Sequence, residues 1–120
     1  MNIEQKIIDF WNKQPCNIKH SNSAIGSVEF FREQSIKRYT AEPHIRDFAQ
    51  FHSYQGKRVL EIGCGIGTEA LEFARNGANY TGIDIRPEQI ESNIEQGKEI
   101  CKNNVPNWIC GDSYLVLDEL

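Results

Sequence analysis

The run VLEIGCGIGTEALEFARNGANYTGIDI, Val59 to Ile85, limits this chain more than any other part of it. A short apolar segment meets three glycines at alternate positions, Gly63, Gly65 and Gly67, and then a segment of helical periodicity. Glycine at such a turn lets the backbone reverse tightly and lets a ligand touch the main chain with no Cβ between them. The loop opens onto a helix start, where backbone N–H groups lack intrahelical partners. A second apolar segment, NYTGIDI, closes on Asp84, which lies 21 residues beyond Gly63. A carboxylate at the end of a second strand is placed to accept hydrogen bonds from both ribose hydroxyls. Strand, glycine turn, helix, strand and acid together make the layout of a nucleotide-cofactor site.

The rest of the chain extends this unit. MNIEQKIIDFWNKQP is expected to form an amphipathic helix, with Ile3, Ile7, Phe10 and Trp11 on one stripe and Pro15 at its end. CNIKHSNSAIGS is polar and small, and so a loop. Ser27 is placed to cap a second helix, VEFFREQSIKRY, whose apolar side includes Val28, Phe31 and Tyr39. EPHIRDFAQFHSY forms a third, with Pro43 in its first turn, Ile45, Phe48 and Ala49 on one face, and Gly56 stopping it. Beyond the glycine loop, TEALEFARNG carries Ala70, Phe73 and Ala74 on one face and ends at Gly77. RPEQIESNIEQGKEICKNN, opened by Pro87, aligns Ile90, Ile94 and Cys101. VPNWICGD reads as a third strand, with Trp108 in the core or on a sheet face, and SYLVLDEL has no clear pattern.

Strands that alternate with helices imply a parallel sheet with right-handed crossovers. The fold class expected is therefore α/β: a Rossmann-like β-α-β-α-β half preceded by helices. Residues 1–56 would be a helical lead-in and residues 57–120 the half-domain, in one compact unit.

At 120 residues the chain has room for one domain and a real core. Its net charge of −4, with acids and bases interspersed, argues against a nucleic-acid partner. No signal-peptide layout and no membrane-length apolar run is present, so a cytoplasmic protein is expected. The four cysteines, Cys16, Cys64, Cys101 and Cys110, form no CxxC pair, and His20, His44 and His52 are not spaced with them as zinc ligands. Reduced thiols and no metal site are expected. Cys64 reads as a small residue filling the glycine loop.

Two details choose among cofactors. The dinucleotide fingerprint G-x-G-x-x-G would need a third glycine where Thr68 stands. Glu61, two residues before the first glycine, would also repel a pyrophosphate. The same carboxylate suits a cofactor carrying an ammonium and a sulfonium, as S-adenosylmethionine (SAM) does.

VLEIGCGIG resembles motif I of the class I SAM-dependent methyltransferases, and the similarity runs from about Lys57 to Ser113. The resemblance implies that Gly63, Gly65 and Gly67 pass under the methionine and ribose. It implies that Glu61 reaches the methionine ammonium, Asp84 the ribose hydroxyls, Ile85 the adenine face and Asp112 the adenine amino group. FWNKQPC followed by RYTAEPHIRDFAQF is similar to the helical lead-in of a bacterial subset, in which a tyrosine approaches the methionine end; Tyr39 is the candidate, against a plain core role.

Complete members of that family carry seven strands in the order 3-2-1-4-5-7-6. This sequence supplies the first three, so it reads as an incomplete, cofactor-binding portion, with its first strand left at an edge. That edge is apolar and open to pairing, and a homodimer or another partner is one way to cover it. The activity implied is methyl transfer from SAM to a small-molecule acceptor, leaving S-adenosylhomocysteine (SAH). A non-catalytic SAM-binding or interaction module is the alternative. No residue is identified as a catalytic base; His20 and His44 are unsupported candidates.

Overall fold

The computed structural model describes residues 2–13 and 28–119. Pro15, Cys16, His20 and Ser27 therefore lie outside the described residues, as does the side chain of Trp11. The elements are α1 (Ile3–Lys13), α2 (Val28–Ala41), α3 (His44–Ala49), β1 (Arg58–Ile62), α4 (Thr68–Arg75), β2 (Asn79–Asp84), α5 (Pro87–Ile100), β3 (Asn107–Cys110) and α6 (Ser113–Val116). The segment SYLVLDEL thus begins with a helical turn.

The three strands form one parallel sheet in the order β1-β2-β3. Arg58 pairs with Asn79 and Ile62 with Ile83, while Thr81 pairs with Asn107 and Asp84 with Cys110. This register brings all three strand ends to one side of the sheet. The fold is the α/β, Rossmann-like arrangement expected, with β1 an outer strand of this sheet.

Burial explains the order of the layers. Tyr80 and Ile83, on opposite faces of β2, are both fully buried, as befits a middle parallel strand covered on two sides. Leu60 and Ile62 on β1 stay exposed. Ala70, Leu71 and Ala74 form the buried face of α4, so Leu71 takes the place expected of Phe73, which is half-buried. Gly77, at φ +88°, ends α4, and the Ala78 N–H bonds back to the Phe73 carbonyl, the usual glycine stop. A run of ring contacts, Tyr39–Phe51–Phe73–Tyr80–Trp108, then ties α2 through α4 to β2 and β3. Trp108 therefore belongs to the core.

Two N-terminal expectations change. The third helix stops at Ala49, because Gln50 takes a left-handed conformation (φ +48°), and a 3-10 turn, Phe51–Tyr54, follows. The break carries Phe51 into the core and leaves Phe48 89% exposed. On α1, Ile3, Ile7 and Phe10 form the expected stripe, yet all three remain exposed. Amphipathicity dictates a helix there without supplying a buried face for it.

Candidate functional site

The strand ends and the loops that follow them enclose a crevice of about 880 Å³, a size common for small-molecule sites. Its floor is the glycine loop after β1. One wall comes from Ile83 to Arg86 after β2, and another from Gly111 to Tyr114 after β3. Ile7, Arg38, Glu42 and Ile45 approach from the N-terminal helices.

The loop is fixed from below. Gly63 and Cys64 donate their N–H groups to the Ile83 carbonyl at 2.8 and 3.1 Å, and Gly67 donates to the Cys64 carbonyl at 3.2 Å. Gly63, Gly65 and Gly67 all have positive φ, at 73°, 55° and 84°. Among the described residues a Cβ added at Gly63 or Gly65 would meet nothing within 4 Å, whereas at Gly67 it would lie 3.1 Å from the Trp108 ring. The first two glycines face open space, and the third is needed for packing at the start of α4. Gly67 does not line the crevice.

Glu61 sits at the end of β1 and lines the crevice. Tyr80 donates its hydroxyl to Glu61 Oε1 at 2.5 Å. Burial pushes the Glu61 carboxyl up to about 7, with the negative charge of Glu69 adding to it; the Tyr80 hydrogen bond and Arg38 pull the other way. No cation lies within ion-pair distance of Glu61 among the described residues. Arg38 is instead held by Glu69 at 2.6 Å and Glu42 at 3.8 Å.

Asp84 receives three donors: Gly65 N–H on Oδ2 at 3.0 Å, and Arg86 N–H and Nε on Oδ1 at 3.0 and 3.1 Å. A carboxylate has about four lone-pair sites, so one remains, on Oδ2. Receiving two ribose hydroxyls would require one of these donors to yield. Asp84 and Arg86 are both buried, at 8% and 6% side-chain exposure.

Ile85 is half-buried and lines the crevice. Asp112 does too, while its Oδ1 accepts the Tyr114 N–H at 2.9 Å and so caps α6. Tyr39 is buried away from the crevice. Its ring packs on Phe51 and under Arg46, and its hydroxyl meets Glu69 at 3.4 Å. Burial pushes the Cys64 thiol up, and the nearby Asp84 and Glu61 charges add to this, so the thiol stays protonated. His44 is exposed on α3 and does not line the crevice.

Six of the eight residues singled out in the sequence therefore meet at one crevice: Glu61, Gly63, Gly65, Asp84, Ile85 and Asp112. The residues that sequence reasoning missed are Arg38, Glu42 and Glu69, an ion-paired group centred on Arg38 of α2. Arg38 and Glu42 are four residues apart, but the pairing of Arg38 with Glu69 on α4 spans 31 residues and has no local signal. Also missed were three buried carboxamides on α5, of which Asn93 donates to the Gly65 carbonyl at 2.8 Å.

A family model described as a methyltransferase domain matches residues 28–111. A ubiquinone biosynthesis O-methyltransferase of Methylocella silvestris is 32% identical over 84 residues, covering 69% of this chain and 32% of that protein. An S-adenosyl-L-methionine-dependent Diels-Alderase of Talaromyces variabilis is 42% identical over 52 residues, covering 42% of this chain and 16% of that one. Among solved structures, magnesium protoporphyrin IX methyltransferase from Synechocystis PCC 6803 with bound SAM superposes with a TM-score of 0.63 at 16% identity. It covers 93% of this chain, which spans 55% of its length. The chain thus spans about a third or less of these two curated relatives.

Proposed function

Because this chain belongs to the methyltransferase-domain family, we propose that its crevice binds SAM and that the protein serves methyl transfer to a small-molecule acceptor. The relatives, an O-methyltransferase and a SAM-bound methyltransferase among them, support that reading. The observation that carries it is the pair of carboxylates, Glu61 and Asp84, on one crevice floored by Gly63 and Gly65. Among the described residues Glu61 has no cationic partner, so a ligand ammonium would supply one. Asp84 keeps one acceptor site toward a ribose hydroxyl. A pyrophosphate would instead meet two carboxylates, which disfavours a dinucleotide.

In this reading Gly63 and Gly65 leave room for the ligand against the main chain, Ile85 packs on adenine, and Asp112 meets the adenine amino group. Gly67 keeps α4 in place, and Tyr39 acts through its ring, packed on Phe51 and under Arg46. Bound SAM supplies an electrophilic methyl carbon and a thioether leaving group. The chain's own contribution is to bind, orient and exclude water. The helices of residues 1–56 cover the half-domain of residues 57–120, and the expected location is the cytoplasm; among the described residues no helix is long and apolar enough to cross a membrane.

Calorimetric titration with SAH, with NAD as control, tests the proposal. SAH binding that is lost in Asp84→Ala is the expected result. Binding of NAD alone, or of neither ligand, would sink it.

A second reading, an interaction module that associates through β1, draws on the exposed Leu60 and Ile62. Weak SAH affinity together with strong self-association would favour it.

A further inference from the structure

The inward face of α5 carries Gln89, Asn93 and Gln96, at the spacing of one helical stripe, and all three are buried. Apolar side chains would fill such a face at lower cost, since each buried amide must be hydrogen-bonded to offset its lost hydration. For Asn93 and Gln96 the partners are backbone carbonyls of the glycine loop. Asn93 Nδ2 donates to the Gly65 carbonyl at 2.8 Å, and Gln96 Nε2 to the Ile66 carbonyl at 3.3 Å. Gln89 Nε2 donates to Asn93 Oδ1 at 2.9 Å, which fixes which way round the Asn93 amide lies.

These bonds set the orientation of a peptide plane. In a trans peptide the C=O and N–H point in opposite directions. With the Gly65 carbonyl drawn to α5, the Ile66 N–H must point away from α5. Gly65 and Ile66 both line the crevice. The neighbouring loop donors are taken, Gly65 N–H by Asp84 and Gly67 N–H by the Cys64 carbonyl. No acceptor among the described residues is bonded to the Ile66 N–H.

We propose that Asn93, braced by Gln89, is a positioning residue of the cofactor site: it holds the Gly65 carbonyl so that the Ile66 N–H faces the crevice as a donor to an acceptor oxygen of the cofactor. This rests on the reading that the crevice takes SAM.

The test combines SAH titration with amide spectra of the full chain labelled with 15N at isoleucine and glycine. In the wild type, SAH shifts the Ile66 amide resonance and slows its exchange. Asn93→Asp keeps the shape but cannot donate to a carbonyl. It is expected to weaken SAH binding by about tenfold, the scale of one well-placed hydrogen bond, and to abolish the Ile66 response even at saturation. Gln89→Met leaves the Asn93 donor in place and removes its brace, so a smaller loss in the same direction is expected. If Asn93→Asp does not fold, the Gln89→Met comparison decides. SAH affinity within twofold of wild type, or weaker binding with the Ile66 response intact, overturns the inference and leaves the SAM reading standing. A wild type that binds no SAH overturns both, and is distinguished by that.

Discussion

The Tyr80 hydroxyl meets the Glu61 carboxylate at 2.5 Å across adjacent strands. Gly82, paired with Glu61 in the sheet, makes this approach possible, because a Cβ there would lie 2.8 Å from the Tyr80 oxygen. The result is a carboxyl held by a neutral donor, with no cation paired to it among the described residues, at the mouth of β1.

A pH dependence follows, with opposite signs for binding and stability. Glu61 titrates near 7, raised from 4.5 chiefly by burial. Below 7 its charge is lost, while a ligand ammonium stays protonated. SAH affinity should therefore fall as pH drops from 8 to 5, approaching tenfold per unit well below the midpoint. The free protein should move the other way. A carboxyl raised in the folded state favours folding below its unfolded value, and that contribution is lost as pH rises through about 7. Titrations and melts at several pH values, with Glu61→Gln as control, check both signs. A pH-independent SAH affinity would remove Glu61 from the ammonium site.

Asp84 serves the fold as well as the ligand. Replacing it with alanine takes the counter-charge from the buried Arg86 and the anchor from the Gly65 N–H. Denaturant unfolding should show a loss of about 3–5 kcal/mol, as for other broken buried pairs. Asp84→Ala with Arg86→Met should recover part of that loss without restoring SAH binding.

The glycines should separate by readout. Gly67→Ala combines a left-handed backbone with a Cβ 3.1 Å from Trp108, so it should cost more stability than the roughly 1–2 kcal/mol of the conformation alone. Gly65→Ala carries the same conformational cost but meets no atom of the described residues within 4 Å. Its SAH affinity should suffer far more than its melting temperature. Equal effects in the two variants would argue against a ligand lying over Gly65.

Tyr39 should matter through its ring. Its hydroxyl contact with Glu69 is long, at 3.4 Å, so Tyr39→Phe should change stability by less than about 1 kcal/mol and leave SAH affinity nearly intact. Tyr39→Ala, which empties the space between Phe51 and Arg46, should cost about 3–5 kcal/mol. A large drop in SAH affinity for Tyr39→Phe would place the hydroxyl in the site directly.

Association through β1 is open to sedimentation. Leu60 and Ile62 are 45% and 55% exposed on the outer strand of the sheet, and apolar edges pair readily. Wild type should self-associate as concentration rises, and Leu60→Lys with Ile62→Glu should stay monomeric. A monodisperse wild-type monomer with fast-exchanging β1 amides would rule this out.

What the sequence alone determined is local. Positive φ at Gly63, Gly65 and Gly67 follows from residue type and from the strand just before them. The acids at Glu61, Asp84 and Asp112 reach one crevice because parallel strands carry every strand end to the same side. Tertiary structure alone decided the rest. Arg38 and Glu42 lie four residues apart, but Arg38 meets Glu69 only once α2 lies against α4, and no local spacing encodes that longer pairing. Gln50 broke the third helix because burying Phe51 against Phe73 outweighed continuing the helix. The resemblance left Tyr39 either near the methionine end or in the core; its ring packs inward on Phe51, since packing decides where an amphipathic ring goes. Nothing in the sequence singles out Asn93. Only the fold brought the Gly65 carbonyl within 2.8 Å of its amide, because a hydrogen bond is set by where two distant segments come to rest.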